Sequence, residues 1–210
     1  MQPTTPDHPP PRRPLRIGDP APDFRARSTT GDLQLSALRG SWVLFFSHPA
    51  DFTPVCSTEF AELARRQDEF DALGCALVGL SVDSLYSHQA WVRALREVFG
   101  VDVRFPIIED PTMAIGRAYG MIDDTSANSA AMRATFFIDP DGIIRATTCY
   151  PHNVGRSVDE LLRLLAALQR VSAGPVLTPE GWRDGGRVLR LPAATPDDRP
   201  DWFCRYEDAT

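Results

Sequence analysis

WVLFFSHPADFTPVCSTEF, residues 42–60, passes from one periodicity to another. Val43 to Phe46 are consecutively apolar, as in a strand buried on both faces, whereas Val55, Phe60, Leu63, Ala64 and Phe70 recur at helical spacing. A cysteine stands at the junction. Thr53 is a suitable N-cap and Pro54 a favoured first helical residue, which puts Cys56 in the first turn. There, unpaired backbone N–H groups and the positive end of the helix dipole favour an anion.

Working outward, the helix is expected over 54–72 with Gly74 as its stop, and CALVGLSVD (75–83) reads as a second buried strand, giving a βαβ unit. Upstream, FRARSTTGDLQLSAL (24–38) alternates around a Thr-Thr-Gly-Asp turn and predicts a hairpin. Downstream follow a helix over 84–99 with Trp91, Leu95, Val98 and Phe99 on one side, a short strand in RFPIIED, a short helix from Thr112 to Tyr119 and a polar loop over 121–131. RATFFIDPDGIIRATTCY (133–150) reads as two strands around Asp-Pro-Asp-Gly, and the last helix opens with Ser157 and Glu160 in capping-box spacing. Mixed strands flanked by helices define an α/β class.

Eight of the 19 prolines fall in the first 22 residues and five more between Pro175 and Pro200, so irregular segments bracket the domain. The expected division is a disordered Pro-rich tail over 1–14, a domain over 15–171 and a C-terminal arm over 172–210. The arm is poor in periodicity but holds Trp182, Trp202, Phe203 and Tyr206, which suits packing on its own domain or reaching across a dimer partner with Cys204.

At 210 residues with 43% apolar content the chain can bury a proper core. Its net charge is −6 and its 22 basic residues are scattered, which argues against a nucleic-acid face or a polybasic membrane patch. The N-terminal stretch lacks the apolar segment of a signal peptide, and no run is long enough to span a bilayer, so a cytoplasmic protein is expected. Cysteines 56, 75, 149 and 204 are far apart, without a C-x-x-C pair or a Cys/His cluster of zinc spacing, so neither a disulfide scaffold nor a metal is expected.

Cys75 and Cys149 lie in apolar or β-like runs and read as structural. A reactive Cys56 would serve one of three chemistries. Hydrolysis needs a histidine base: His48 and His152 are the candidates, with Asn153 as the one evident partner. Local disulfide exchange needs a cysteine where Thr53 stands. Peroxide reduction needs an anionic sulfur, a hydroxyl to orient the O–O bond, a fixed cation and a dry pocket. Thr53 supplies the hydroxyl, Pro49 and Pro54 stiffen the loop, and Arg133, at the mouth of the apolar strand ATFFI, and Arg156, before the last helix, are candidate cations. An antiparallel strand beside 42–47 would bring Arg133 to the edge where Cys56 lies.

GDPAPDF, FFSHPADFTPVCSTE, GLSVDS, MRATFFIDPDGIIR and YPHNVGRSVDE follow in order through residues 18–160, and DWFC lies near the end. In these motifs, above all P-x-x-x-T-x-x-C, the chain resembles the peroxiredoxins, and among them the one-cysteine peroxiredoxin 6 subfamily that includes archaeal thioredoxin peroxidases. The resemblance implies a thioredoxin-like fold and a thiol-specific peroxidase in which Cys56 is oxidised to a sulfenic acid by hydrogen peroxide or an organic hydroperoxide. It assigns Thr53 to hydrogen bonding of thiolate and peroxide, Pro49 to shielding the pocket and Arg133 to stabilising thiolate and transition state. Glu59 would brace the arginines, Arg156 would be the second arginine and His48 would border the pocket. No cofactor is implied, only an external thiol such as thioredoxin, glutaredoxin or a small thiol, in a homodimer with crossed arms or a larger ring. The chain departs from relatives at RGSW, where some carry G-D-S-W-G, so phospholipase activity is not carried over. Pro-Asp-Asp-Arg-Pro stands where archaeal relatives often have a resolving cysteine, and one Trp precedes Phe203 instead of two. A one-cysteine mechanism is preferred, with Cys204 of a neighbouring subunit as the alternative resolving thiol. A peroxide sensor or holdase using the same sulfenic acid, and more remotely a cysteine hydrolase, are the competing functions.

Overall fold

The computed structural model describes residues 13–122, 130–192 and 199–208. The expected tail lies outside the described residues apart from Arg13 and Pro14, as does most of the expected 121–131 loop.

A hairpin of β1 (Arg25–Ser28) and β2 (Gly31–Gln34) comes first, as its alternation predicts. β3 (Trp42–Ser47), α1 (Pro54–Arg65), α2 (Gln67–Ala72) and β4 (Cys75–Ser81) form the βαβ unit. Then come α3 (Leu85–Phe99), β5 (Ile107–Glu109), α4 (Ala114–Ala118), the hairpin β6 (Arg133–Ile138) and β7 (Ile144–Tyr150), and α5 (Val158–Ser172). The arm adds β8 (Val176–Leu177), β9 (Val188–Arg190) and β10 (Tyr206–Glu207).

The main sheet has seven strands in the order β2-β1-β5-β4-β3-β6-β7, with β3, β4 and β5 parallel and the others antiparallel. β3 lies between β4 and β6 with both faces covered, which is why all six of its residues are buried. Trp42, Leu44 and Phe46 face a core shared with Phe60, Trp91 and Leu165, while Val43 and Phe45 face one shared with Leu35 and Tyr119. A fully buried side chain such as Phe46 or Phe60 contributes about 1.5–3 kcal/mol. Gly79 of β4 leaves room for both rings, since a Cβ there would meet Phe60 Cζ at 3.3 Å and Phe46 Cζ at 3.5 Å.

Several local expectations change in the structure. The helix expected over 54–72 is broken at Arg66, whose guanidinium reaches both Glu69 and Asp159, and Gly74, at φ 59°, ends the second piece. On α3 the buried stripe is His88, Trp91 and Leu95, continued by partly buried Phe99, whereas Val98 is exposed. Ser157 caps α5 by accepting from Glu160 N, but the Glu160 carboxylate pairs with Arg163, so only half of the capping box forms. Cys149 is not interior: β7 is an edge strand on which Arg145, Thr147 and Cys149 face outward. The arm, though poor in periodicity, pairs its short strands in the order β10-β9-β8 and buries Trp182 with Val188 against Ala167 of α5.

Candidate active site

β3 ends at Ser47, and the segment 48–53 turns the chain into α1. Thr53 occupies the N-cap position in extended conformation with Pro54 in the first turn, as the sequence predicts. Its hydroxyl does not cap the helix: Oγ1 donates to the Ala50 carbonyl at 2.9 Å, bracing the turn across its own width. Pro49 is half-buried in this turn.

Cys56 has no solvent exposure. Its Sγ accepts from Arg133 Nη1 at 3.3 Å. Arg133 reaches it because β6 runs antiparallel to β3, with Phe46 opposite Thr135, so the first residue of β6 lies beside the end of β3. The guanidinium is held on its other side by the His152 carbonyl, which accepts from Nε at 3.0 Å and Nη2 at 2.8 Å. Glu59, one helical turn beyond Cys56, accepts from Arg133 Nη1 at 2.7 Å.

Glu59 also binds Arg156: Oε1 accepts from the backbone N at 2.6 Å and Nε at 3.0 Å, and Oε2 from Nη2 at 2.8 Å. Arg156 Nη1 donates to Ala134 O and Thr135 Oγ1, both at 3.2 Å, and its Cζ stands 5.0 Å from the Phe46 ring centroid. Burial pushes the Glu59 carboxyl up, but the Arg156 hydrogen bond and charge, with help from Arg133, more than reverse this and hold it below the usual carboxylate range. Two guanidiniums and one carboxylate leave one net positive charge in this buried cluster, at the side facing the sulfur.

His48 is fully buried behind the loop, stacked on Trp91 at 5.1 Å and in a T-shaped contact with Phe60 at 4.7 Å. Its Nε2 hydrogen-bonds Asp51 Oδ1 at 2.9 Å, and His88 Nδ1 of α3 meets the same carboxylate at 3.1 and 2.8 Å. Burial raises the Asp51 carboxyl, but hydrogen bonds from both histidines carry it well below the usual range. Burial dominates at His48 and lowers it, with Asp51 opposing. An ionised carboxylate only accepts, so both rings donate to it. Sequence reasoning missed Asp51 and His88; the spacing His48-x-x-Asp51 was the available signal, but the 37-residue separation from His88 was not. Among the described residues this is the one place where three side chains of metal-binding type converge. Their N···O separations of 2.8 to 3.1 Å are those of hydrogen bonds, which account for the cluster.

Cys204, in the turn closed by its N–H to Asp201 O at 2.9 Å, is exposed, and no described contact joins it to the Cys56 site.

Comparison with known proteins accounts for this architecture of an α/β domain with a cysteine at the strand-to-helix junction. A model of the AhpC/TSA family matches residues 17–147. Peroxiredoxin 2 of Picrophilus torridus is 44% identical over 185 residues, covering 88% of this chain and 91% of that protein, and peroxiredoxin 2 of Caldanaerobacter subterraneus is 46% identical over 180 residues, covering 86% and 81%. Among solved structures, a yeast mitochondrial one-cysteine peroxiredoxin superposes with TM-score 0.82 at 35% identity, covering 93% of this chain and all of that one. A mutant of peroxiredoxin 6 of Arenicola marina gives 0.80 at 34%, covering 86% of each. The fold is thus the thioredoxin-like fold of thiol-dependent peroxidases. The chain belongs to the AhpC/TSA peroxiredoxin family.

Proposed function

We propose that Cys56 is the sulfur oxidised in this peroxidase, and the observation that carries the proposal is Arg133 Nη1, 3.3 Å from Sγ in a buried cluster with one net positive charge. An ionised sulfur neutralises that charge. In the reaction the thiolate attacks one oxygen of the hydroperoxide, the O–O bond breaks, and the leaving alkoxide or hydroxide takes a proton, giving a sulfenic acid and an alcohol or water. Arg133 faces the sulfur where charge shifts toward the departing oxygen. Thr53, whose hydroxyl is fixed on Ala50 O, orients the O–O bond through its free lone pairs, and half-buried Pro49 shields the pocket. Glu59 and Arg156 hold Arg133 in place, and His48 forms the back wall.

The sulfenic acid is reduced by an external thiol, of thioredoxin, glutaredoxin or a small molecule, without a bound cofactor or metal. The yeast structure concerns thiol resolution through the glutathione and thioredoxin systems, which supports this reading. Cys204 of a second subunit is the alternative resolving thiol. We assign residues 15–171 to the catalytic domain and 172–210 to an arm that crosses to a partner in a homodimer or ring; exposed Phe203 and Tyr206 on the arm support this, and a monomer in light scattering at micromolar concentration overturns it. Among the described residues no helix is long and apolar enough to cross a membrane, and we place the protein in the cytoplasm.

The test is mass spectrometry after one equivalent of hydrogen peroxide with a sulfenic-acid trap, on wild type, Cys56→Ser and Cys204→Ser. The expected adduct is confined to Cys56 and unaffected by Cys204→Ser. A disulfide between Cys56 and Cys204 makes the arm part of the cycle, and absence of selective oxidation at Cys56 removes the peroxidatic assignment.

A further inference from the structure

Four bonds from the Arg133 guanidinium are described, and two of them go to one main-chain oxygen, that of His152. In the sequence His152 is a candidate base through its ring, but in the structure it is the carbonyl that reaches the site. A guanidinium is a planar fork. His152 O holds its Nε–Nη2 edge at 3.0 and 2.8 Å, and Glu59 Oε2 holds Nη1 at 2.7 Å, so the plane is fixed at two edges and Nη1 is aimed at Cys56 Sγ, 3.3 Å away. The two anchors differ in charge. Glu59 divides one negative charge between Arg133 and Arg156, whereas the carbonyl orients Arg133 and cancels none of its charge. Without the carbonyl, Glu59 would be the one remaining oxygen holding Arg133 among the described residues.

The carbonyl belongs to the segment Pro-His-Asn-Val-Gly, residues 151–155, all five of which are exposed, whereas Arg133 is buried. Burial therefore does not fix this oxygen, and local features must. Tyr150, where β7 ends, pairs across the sheet with Arg133 itself, and Pro151 follows with its φ set by its ring. Val154 N–H closes a turn onto Pro151 O at 3.2 Å. Gly155 lies against the first turn of α1, where a Cβ would stand 3.4 Å from Val55 Cγ1. Arg156 then enters the buried cluster with its N–H on Glu59 at 2.6 Å. The segment thus leaves the sheet beside Arg133, brings a carbonyl back to that residue's own guanidinium and ends at its counter-ion.

We infer that 151–155 is a positioning segment for the peroxidase reaction: Pro151 and Gly155 set the place of the His152 carbonyl, and the carbonyl sets the aim of Arg133 at the sulfur. The inference rests on Cys56 as the oxidised sulfur.

The experiment measures the second-order rate of Cys56 oxidation by hydrogen peroxide, by quench and mass spectrometry, alongside the denaturant midpoint of each variant. Pro151→Gly frees the backbone and keeps the carbonyl. It is expected to slow oxidation about tenfold, less than the roughly 10²–10³ of losing the donor outright, because the guanidinium is still present but less well aimed. Pro151→Ala, with a narrower backbone range than glycine, should recover part of the loss. Gly155→Val should slow oxidation by crowding Val55, and adding Val55→Ala to the same chain should restore the rate. In an Arg133→Ala chain Pro151→Gly should cost less than about twofold, since the group that the segment positions is gone. A merely structural role predicts the same fold loss in both backgrounds, tracking the denaturant midpoint. That equal loss overturns the inference, as does a Pro151→Gly rate within about twofold of wild type. His152→Ala keeps the carbonyl, so a loss in it as large as that in Pro151→Gly assigns the effect to the imidazole and overturns the main-chain reading. Should Gly155→Val not fold, the two Pro151 variants and the Arg133→Ala background decide alone. No oxidation of wild-type Cys56 overturns the peroxidatic reading itself, and the wild-type measurement shows it apart from any variant.

Discussion

Two cysteines of this chain are buried, Cys56 beyond the carboxyl end of β3 and Cys75 at the opposite end of the same parallel pair, opposite Trp42. Both belong to the same apolar core. Around Cys75 that core is all there is of consequence: burial pushes its thiol up to about 12, and a backbone contact with Leu44 offsets little of this. Cys56 is buried more completely, yet a guanidinium touches its sulfur and a net positive cluster stands behind it. If Cys56 is the oxidised sulfur, as proposed, burial does not separate an inert cysteine from a reactive one in this fold. Among the described residues the difference lies at the end of the sheet: the carboxyl end gathers the helix N-terminus and two arginines around Cys56, whereas Cys75 at the amino end has burial as its main influence.

The largest test of that contrast is to remove its central carboxylate. Glu59→Gln keeps the size of the side chain but leaves Arg133 and Arg156 facing each other in a buried space, and breaking a buried pair in this way costs about 3–5 kcal/mol. Denaturant unfolding should show a loss of that order. An effect within about 0.5 kcal/mol, the range of an ordinary surface substitution, would mean that the two arginines are not held as the structure has them.

Arg133→Gln comes next, and its expected effect is on rate. The variant keeps hydrogen-bonding capacity toward His152 O but removes the charge at the sulfur, and loss of one preorganised donor at a site of developing charge costs about 10²–10³ in rate. The second-order rate of Cys56 oxidation by hydrogen peroxide, followed by tryptophan fluorescence or quench and mass spectrometry, should fall by that factor. The same substitution should leave the slow oxidation of Cys75 in the unfolded chain unchanged.

The contrast between the two ends was unevenly legible in the sequence. β3, β4, α1 and both hairpins could be read because their signals are local: a continuous apolar run, a helical period, a turn dipeptide. Arg133 could be singled out because a charge at the mouth of an apolar strand is unusual, and β-pairing then fixes where it points. The break at Arg66 depends on a carboxylate 93 residues away, and the meeting of His88 with Asp51 on a helix and a turn that are brought together only by the sheet. Cys149 was misjudged because a β-rich run does not say whether its strand is central or at the edge, and the arm's short strands exist only as a set.

The amino end gives the smallest effect per measured step and the cleanest sign. All 22 basic residues of this chain are arginine, so between pH 9 and 12 its side-chain titrations are those of thiols and phenols. Cys75 has an ordinary value of 9.0 and is raised to about 12 in the fold, and burial raises Tyr119 as well. Above pH 9 the unfolded chain therefore loses the Cys75 proton while the folded chain keeps it. A folded-state value above the unfolded one means that the contribution is fully present below pH 9 and is lost as pH rises toward 12, at about 1.4 kcal/mol per unit in the steep part. Cys75→Ala is less stable at neutral pH because it leaves a small cavity, but its stability should fall less steeply with pH than that of wild type across this window. The two curves should converge as pH rises. Parallel curves would show that Cys75 ionises as readily in the fold as outside it, and burial at the amino end would then not be what holds this thiol protonated.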